Sequence, residues 1–233
     1  MLVSGEDLGE PLLLPTLAVL ASAGLYATLP SRFIVGPSSG AFSYARWIVP
    51  ALAVLLLAAL IVSSPRGRLG RTLRPPTLRL RIGRRVAALV LIAVLSAANA
   101  AAIVLLVHLL VNGAQAQASL LLRAGIHMWC LNVLVFALWF WELDNGGPVA
   151  RRTAGPEGRD FLFPQQAMPE YSAPGWQPLF LDYLYVAFTN ATAFSPTDAM
   201  PLSRWAKTLM LIEACASLVL AIMVAARAVN ILK

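Results

Sequence analysis

The chain has 233 residues and a formal net charge of +7; 59% of its residues are hydrophobic and only 12% are charged. Soluble domains carry about 25% charged residues, so this composition excludes an ordinary soluble fold and indicates an integral membrane protein. The two cysteines, Cys130 and Cys215, lie in apolar segments, where we expect packing residues rather than a disulfide. We expect no cofactor and no metal site, because no cluster of His, Cys, Asp or Glu has suitable spacing.

Apolar stretches close to the roughly 20 residues that cross a bilayer recur along the chain. They predict an all-α fold, a polytopic transmembrane helix bundle in a single domain, with six spans. The spans lie near residues 12–29, 47–63, 86–111, 120–141, 179–195 and 203–230. As a helix, residues 179–195 would be about 26 Å long, slightly short of a hydrocarbon core of about 30 Å. Five spans, with this stretch re-entrant, are therefore the alternative.

The first ten residues hold three acids and no base, so we expect a retained first span rather than a cleaved signal. A strongly basic segment follows the second span. Its arginines are Arg66, Arg68, Arg71, Arg74, Arg79, Arg81, Arg84 and Arg85. The positive-inside rule predicts that residues 64–85 form a cytoplasmic loop, and arginines there can contact anionic lipid headgroups. The same threading makes residues 142–178, rich in Pro and Gly, a second cytoplasmic loop. We expect no nucleic acid partner.

The segment that begins at Thr192 reads Thr-Ala-Phe-Ser-Pro-Thr-Asp, and a short aromatic helix is predicted before it. The spacing of Thr192, Asp198 and Pro201 resembles the pore module of potassium channels. Ser195 and Thr197 stand where that module has glycines, and a proline replaces its aromatic residue. A Cβ and a missing amide both disfavour a carbonyl-lined filter, so potassium selectivity by this mechanism is not expected. The simpler interpretation is a tight external turn before the last span. This turn comprises Ser195, Pro196, Thr197 and Asp198.

Glu213 lies nine residues after Arg204, about 13 Å into the last predicted span and near the bilayer midplane. A carboxylate at this depth is expected to face the bundle interior, to be protonated or to pair with another group. Steps of four place small residues on its side of the helix, namely Ser217, Ala221 and Ala225. Candidate partners on other spans are Asn99, His108 and Asn132. A proton- or cation-linked site and a neutral Glu in a structural hydrogen bond are both open. The candidate pathway or buried polar site comprises Glu213, Ser217, Asn99, Asn132, Thr189, Asn190 and Thr192.

Enzyme motifs are missing from the sequence: there is no Gly-x-Ser-x-Gly, no His-Glu-x-x-His and no phosphate-binding loop. The two histidines, His108 and His127, have no obvious nucleophile beside them. We therefore expect no enzymatic activity.

A second resemblance covers about residues 160–230. The run Asp182-Tyr183-Leu184-Tyr185, followed by Phe188-Thr189, Phe194, Asp198, Arg204 and Asn230, is similar to the signature of a bacterial integral-membrane family. That family is Domain of Unknown Function 1345. The resemblance implies a multi-pass protein of the bacterial cytoplasmic (inner) membrane and supplies no activity.

Two functions remain open at this point. The first is a channel- or transporter-like protein for a monovalent cation or proton, with a homo-oligomer left open. The alternative is a non-transporting membrane scaffold or lipid-associated protein, with the two cytoplasmic loops as its interaction surfaces.

Overall fold

The fold is described from a computed structural model, which covers most of the chain. The described residues are 12–30, 33–34, 45–62, 78–112, 118–151, 155, 157–192 and 199–231. Seven α-helices lie within them: α1 (Leu13–Thr28), α2 (Ala45–Val62), α3 (Leu78–Val111), α4 (Ala118–Leu143), α5 (Pro164–Ala167), α6 (Phe180–Thr192) and α7 (Arg204–Ile231). Two short strands, β1 (Phe161–Leu162) and β2 (Met200–Pro201), pair antiparallel, with Phe161 opposite Pro201. The all-helical prediction is confirmed at this level.

Within the described part of the chain, three helices are long and apolar enough to cross a membrane. The segments that qualify are Ile82–Val111, Ser119–Gly146 and Arg204–Ala226. Two further apolar helices, α1 and α2, are shorter. Helix α6 has 13 residues, so it is about 20 Å long, well below the thickness of a hydrocarbon core. The protein is therefore membrane-associated and helical, but six spans are not confirmed.

Helix α4 ends at a run of residues that cannot continue it. Asn145, Gly146 and Gly147 have φ angles of 50°, 81° and 98°, which are left-handed conformations that glycine adopts without strain. A Cβ on Gly147 would lie 2.9 Å from the backbone oxygen of Glu142, so this position also needs glycine for space. The chain turns away from α4 here, and the following residues can fold back against the end of the helix.

The chain divides into two compact units. Unit 1 consists of Met1–Ala18 and Phe136–Val219, and unit 2 consists of Val19–Val135 and Leu220–Lys233. In unit 2, the core contains large side chains of α3 and α4. They include Leu91, Leu95, Leu106, Met128 and Leu131. In unit 1, the core is aromatic. Phe161 is completely buried, and its ring centroid lies 5.2 Å from that of Phe140.

Helices α6 and α7 run in the same direction within unit 1. Tyr183 near the start of α6 and Trp205 near the start of α7 both contact Phe161, with ring centroids 6.2 and 6.0 Å away. Seven residues further along α6, Asn190 bonds Glu213, which lies eight residues beyond Trp205. Similar advances along the two helices, seven residues on α6 and eight on α7, thus lead from one contact between them to the next. In an antiparallel pair, an advance along one helix would instead meet residues nearer the start of the other.

The start of α7 therefore lies at the same end of unit 1 as the start of α6. Helix α6 ends at Thr192, and the description resumes at Ala199, one residue before Met200 pairs with Leu162 of β1.

Candidate functional site

A polar cluster with a buried centre forms where α4 ends and where α6 and α7 begin. We call it the Asp144 network, and its members are Asp144, Arg151, Asp160, Tyr183 and Trp205. Asp144 is 2% exposed, yet its Oδ1 accepts hydrogen bonds from the backbone amides of Asp160 (3.1 Å) and Phe161 (3.2 Å). Its Oδ2 accepts a short hydrogen bond from the Tyr183 hydroxyl. Asp144 thus attaches β1 and α6 to the end of α4.

Arg151 supplies the positive charge of the network. Its Nη1 lies 3.9 Å from Asp144 Oδ2 and donates to the backbone oxygens of Trp141 (3.0 Å) and Asp144 (3.3 Å). Its guanidinium carbon lies 4.9 Å from the centre of the Tyr183 ring. The carbonyls at the end of a helix carry partial negative charge, so Arg151 caps α4 as well as neutralising Asp144.

Asp160 extends the network to α7. Its Oδ1 accepts from Trp205 Nε1 at 2.7 Å, and its Oδ2 accepts from the backbone amide of Asn145 at 2.9 Å. Its backbone oxygen also accepts from the amide of Leu202 at 2.8 Å. Two carboxylates therefore connect the ends of three helices. Because these oxygens are used by protein donors, the arrangement is suited to holding structure rather than to binding a ligand.

A second polar pair lies further along α6 and α7, away from the starts of the two helices. Glu213 is completely buried, and its Oε2 accepts a 2.8 Å hydrogen bond from Asn190 Nδ2. The same nitrogen donates to the backbone oxygen of Met210 at 2.8 Å. Two of the residues predicted for the polar site, Glu213 and Asn190, are thus brought together, and the partner of Glu213 comes from α6.

The buried face of α7 passes through Glu213 but differs from the expected stripe. Ser217 is buried (1% exposed), as is Leu220, whereas Ala221 and Ala225 are exposed. Each step of four residues turns a helix by 400°, so a row of such steps drifts by about 40° per step. Alternating steps of four and three keep to one face, which explains why Leu220 replaces Ala221.

The other predicted polar residues of α6 bond within their own helix. The hydroxyl of Thr189 donates to the backbone oxygens of Tyr185 (2.8 Å) and Val186 (3.1 Å). The hydroxyl of Thr192 donates to the backbone oxygen of Thr189 at 2.9 Å. These bonds satisfy the hydroxyls in an apolar setting without involving another helix.

Unit 2 contains its own polar pair. Asn99 of α3 donates to Asn132 of α4 at 3.3 Å, and both side chains are 2% exposed. His108, the third candidate partner, bonds Asn112 in the last turn of α3. Paired asparagines of this kind are common between packed membrane helices.

The remaining predicted residues fall partly outside the described chain. The turn formed by Ser195, Pro196, Thr197 and Asp198 lies outside it, as do Arg66, Arg68, Arg71 and Arg74. Helix α3 begins at Leu78, so the other four arginines of the basic segment are helical. Arg79 and Arg85 are exposed and Arg84 is partly exposed; for Arg81 only the backbone is described.

The sequence did not point to the Asp144 network. The sequence does contain a signal for the network: two acidic residues, Glu142 and Asp144, lie at the end of an apolar helix. Both are buried. Charged residues are seldom fully buried unless they are paired, so acids directly after an apolar span predict partners elsewhere in the chain.

Comparison of the chain with protein-family models, curated proteins and solved structures gave no match. Both resemblances noted in the sequence stay predictions.

Proposed function

We propose that the protein is a multi-pass membrane protein that moves a proton or monovalent cation across the bilayer, with α6 and α7 as its transport module. The observation that carries the proposal is the pairing of Glu213 with Asn190 in the middle of an apolar helix. Intramembrane carboxylates are costly to bury and commonly mark ion pathways or proton relays. No enzymatic activity is assigned.

The surroundings of Glu213 support its placement at membrane depth. Its neighbours Leu211 and Ile212 are 63% and 51% exposed, and Leu218 is 54% exposed. Large apolar side chains exposed around a buried carboxylate are suited to lipid on one side of α7 and a polar contact on the other. Exposing these large apolar side chains to water would be unfavourable.

The direction of α6 supports a topology of five complete spans with α6 re-entrant. A helix of about 20 Å reaches only part of the way through the hydrocarbon core. Because α7 begins at the end of unit 1 where α6 also begins, α7 starts on the side of the membrane from which α6 enters. Half-length helices ending near the midplane are a recurrent feature of ion-coupled membrane proteins.

This topology places the Asp144 network on the cytoplasmic side when the basic segment is taken as cytoplasmic under the positive-inside rule. Together with the resemblance to the bacterial family, it favours the inner membrane of a bacterium. Exposed Arg79 and Arg85 at the start of α3 are placed to contact anionic lipid headgroups.

The topology can be tested with single cysteines at Val149 and Met200, which are 62% and 60% exposed. Cys130 and Cys215 are first replaced by alanine, and a membrane-impermeant maleimide is applied to right-side-out and inverted vesicles. Five spans predict that both positions label from the same side. Labelling from opposite sides would support six spans and reject the re-entrant α6.

Transport is tested with the purified protein in liposomes that contain a pH- or cation-sensitive dye. We expect flux from the wild-type protein and its loss in Glu213→Gln, whose amide oxygen still accepts from Asn190. Glu170→Gln, in an exposed turn, is the matched control and should keep full flux. Flux that survives Glu213→Gln would remove Glu213 from the pathway.

A wild-type protein that passes neither protons nor monovalent cations would favour the alternative, a non-transporting scaffold or lipid-associated protein. The observation behind this alternative is the Asp144 network, in which five side chains hold the ends of three helices together. In that case anionic lipid should raise the thermal stability of the protein in nanodiscs, and replacing Arg79 and Arg85 with glutamine should reduce the effect.

A further inference from the structure

The side-chain amide of Asn190 has a fixed orientation. Its Nδ2 donates to the backbone oxygen of Met210 and to Glu213 Oε2, both at 2.8 Å. A backbone carbonyl can only accept, so the group that faces Met210 must be the NH₂ end of the amide. Both amide hydrogens are used, and the same NH₂ end necessarily faces Glu213.

This orientation suits a carboxyl group that gains and loses a proton. An N–H donor can bond a carboxylate oxygen, and it can equally bond the carbonyl oxygen of a protonated carboxyl group. A proton carried by the other oxygen of Glu213 would therefore leave the bond to Asn190 unchanged. Protonation and deprotonation need no rearrangement of α6 against α7.

A metal cation is less well suited to the same position. An ion bound at Glu213 Oε2 would meet the positive end of the Asn190 N–H bond, whose nitrogen is 2.8 Å away. Hard cations also require several oxygen ligands, six or more for calcium. Across the described residues, no group of three or more His, Cys, Asp or Glu side chains could hold a metal ion.

We infer that the ligand of Glu213 is a proton rather than a metal cation. The inference rests on the proposed function for its role in transport, whereas proton binding at Glu213 can be measured without any flux.

The other charged groups on these two helices lie away from Glu213 along the chain, and the thiol of Cys215, two residues after Glu213, is exposed. On α7, Arg204 and Lys207 precede it by nine and six residues and are exposed. On α6, Asp182 accepts from the Leu179 amide at the start of the helix, and Tyr183 belongs to the Asp144 network. Tyr185 is 50% exposed. Glu142 lies at the end of α4 that carries the Asp144 network.

A carbodiimide provides a direct probe, because it reacts with protonated carboxyl groups in apolar surroundings. The carboxyl oxygen of Glu213 bonds to the central carbon of dicyclohexylcarbodiimide, and the carboxyl proton moves to one of its nitrogens. The acyl group then migrates from that oxygen to the other, unprotonated nitrogen: the acyl C–O bond breaks, a C–N bond forms, and the oxygen becomes the carbonyl oxygen of a stable N-acylurea. Nothing leaves, so the peptide gains the full mass of the reagent.

The experiment uses the full chain in nanodiscs and measures modification of the Glu213 peptide by mass spectrometry. We expect labelling at acidic pH that falls by about tenfold per pH unit once Glu213 is mostly ionised. At fixed pH, high sodium or potassium chloride should leave labelling unchanged. Glu213→Gln should abolish the modification, and Glu170→Gln should not affect it.

Protection of Glu213 by sodium or potassium would overturn the inference and identify a metal cation as the ligand, while leaving cation transport intact. Lack of labelling at every pH in the folded wild-type protein would also overturn it. Labelling that depends on pH but not on metal salts supports the inference. If the same protein passes no ions in liposomes, the transport function fails and the proton assignment stands.

Discussion

Replacing Asp144 with asparagine tests whether the Asp144 network holds unit 1 together. The substitution keeps the size of the side chain and one acceptor oxygen, but it removes the negative charge. The backbone amides of Asp160 and Phe161 can keep that oxygen. The new NH₂ group then faces the Arg151 guanidinium, which can only donate, and the Tyr183 hydroxyl, whose proton loses Asp144 as its acceptor.

The expected cost follows from the groups left without an acceptor. A hydrogen bond to a charged group contributes about 1.5–3 kcal/mol, which is the part lost at Tyr183. Removing one partner of a buried ion pair costs about 3–5 kcal/mol. Arg151 lies 3.9 Å from the carboxylate and keeps two backbone oxygens, so its share is smaller. We expect a loss of about 3–4 kcal/mol. Tyr183→Phe, which removes only the hydroxyl, should cost about 2 kcal/mol.

Thermal unfolding in detergent, followed by circular dichroism, measures this difference. For domains of this size 1 kcal/mol corresponds to about 2–4 °C, so Asp144→Asn should lower Tm by roughly 6–16 °C. Asp182→Asn is the matched control: it also removes a carboxylate charge, but an amide oxygen can still accept from the Leu179 amide at the start of α6, so the cost should be at most about 1 kcal/mol. A shift for Asp144→Asn no larger than that of the control would refute the structural role of the network.

Three further substitutions probe other contacts by the same unfolding measurement. Trp205→Phe keeps an aromatic ring but loses the 2.7 Å bond to Asp160, so it should cost about 2 kcal/mol; an unchanged Tm would mean that this bond does not secure α7. Gly125→Ala would drive a Cβ into Val224, and overpacking of this kind costs about 1–3 kcal/mol. Gly24→Ala meets nothing within 4 Å and should be neutral or stabilising by up to about 1 kcal/mol, so equal losses at both glycines would contradict the packing described for Gly125.

The long apolar helices were predictable because a bilayer imposes a length and a polarity that the sequence displays directly. The boundaries of the helices were less predictable. Helix α3 begins at Leu78 rather than at residue 86, because arginines lower the hydropathy of a segment without lowering its helix propensity. The direction of α6 was not predictable, because the polarity of its 13 residues is the same whether the helix crosses the membrane or the chain re-enters on one side.

The candidate site was likewise predictable from the sequence only in part. Glu213 could be identified because an acid within an apolar run is conspicuous, and Asn190 belonged to the predicted polar set. The pairing between them depends on α6 running parallel to α7, which no local pattern encodes. The Asp144 network was missed because its members come from separate segments whose meeting depends on how the chain turns back after α4.

The Asp144 network also has a consequence for how the protein is made. Tyr183 follows Asp144 by 39 residues and Trp205 follows Asp160 by 45, whereas Arg151 is only seven residues from Asp144. Chains are synthesised at about 5–20 residues per second, so the nascent chain must wait about 2–9 s for its distant partners. During that interval Arg151 is the partner of Asp144 that has already been made. Ion pairing with a near neighbour can thus shield the Asp144 carboxylate until the Tyr183 hydroxyl arrives.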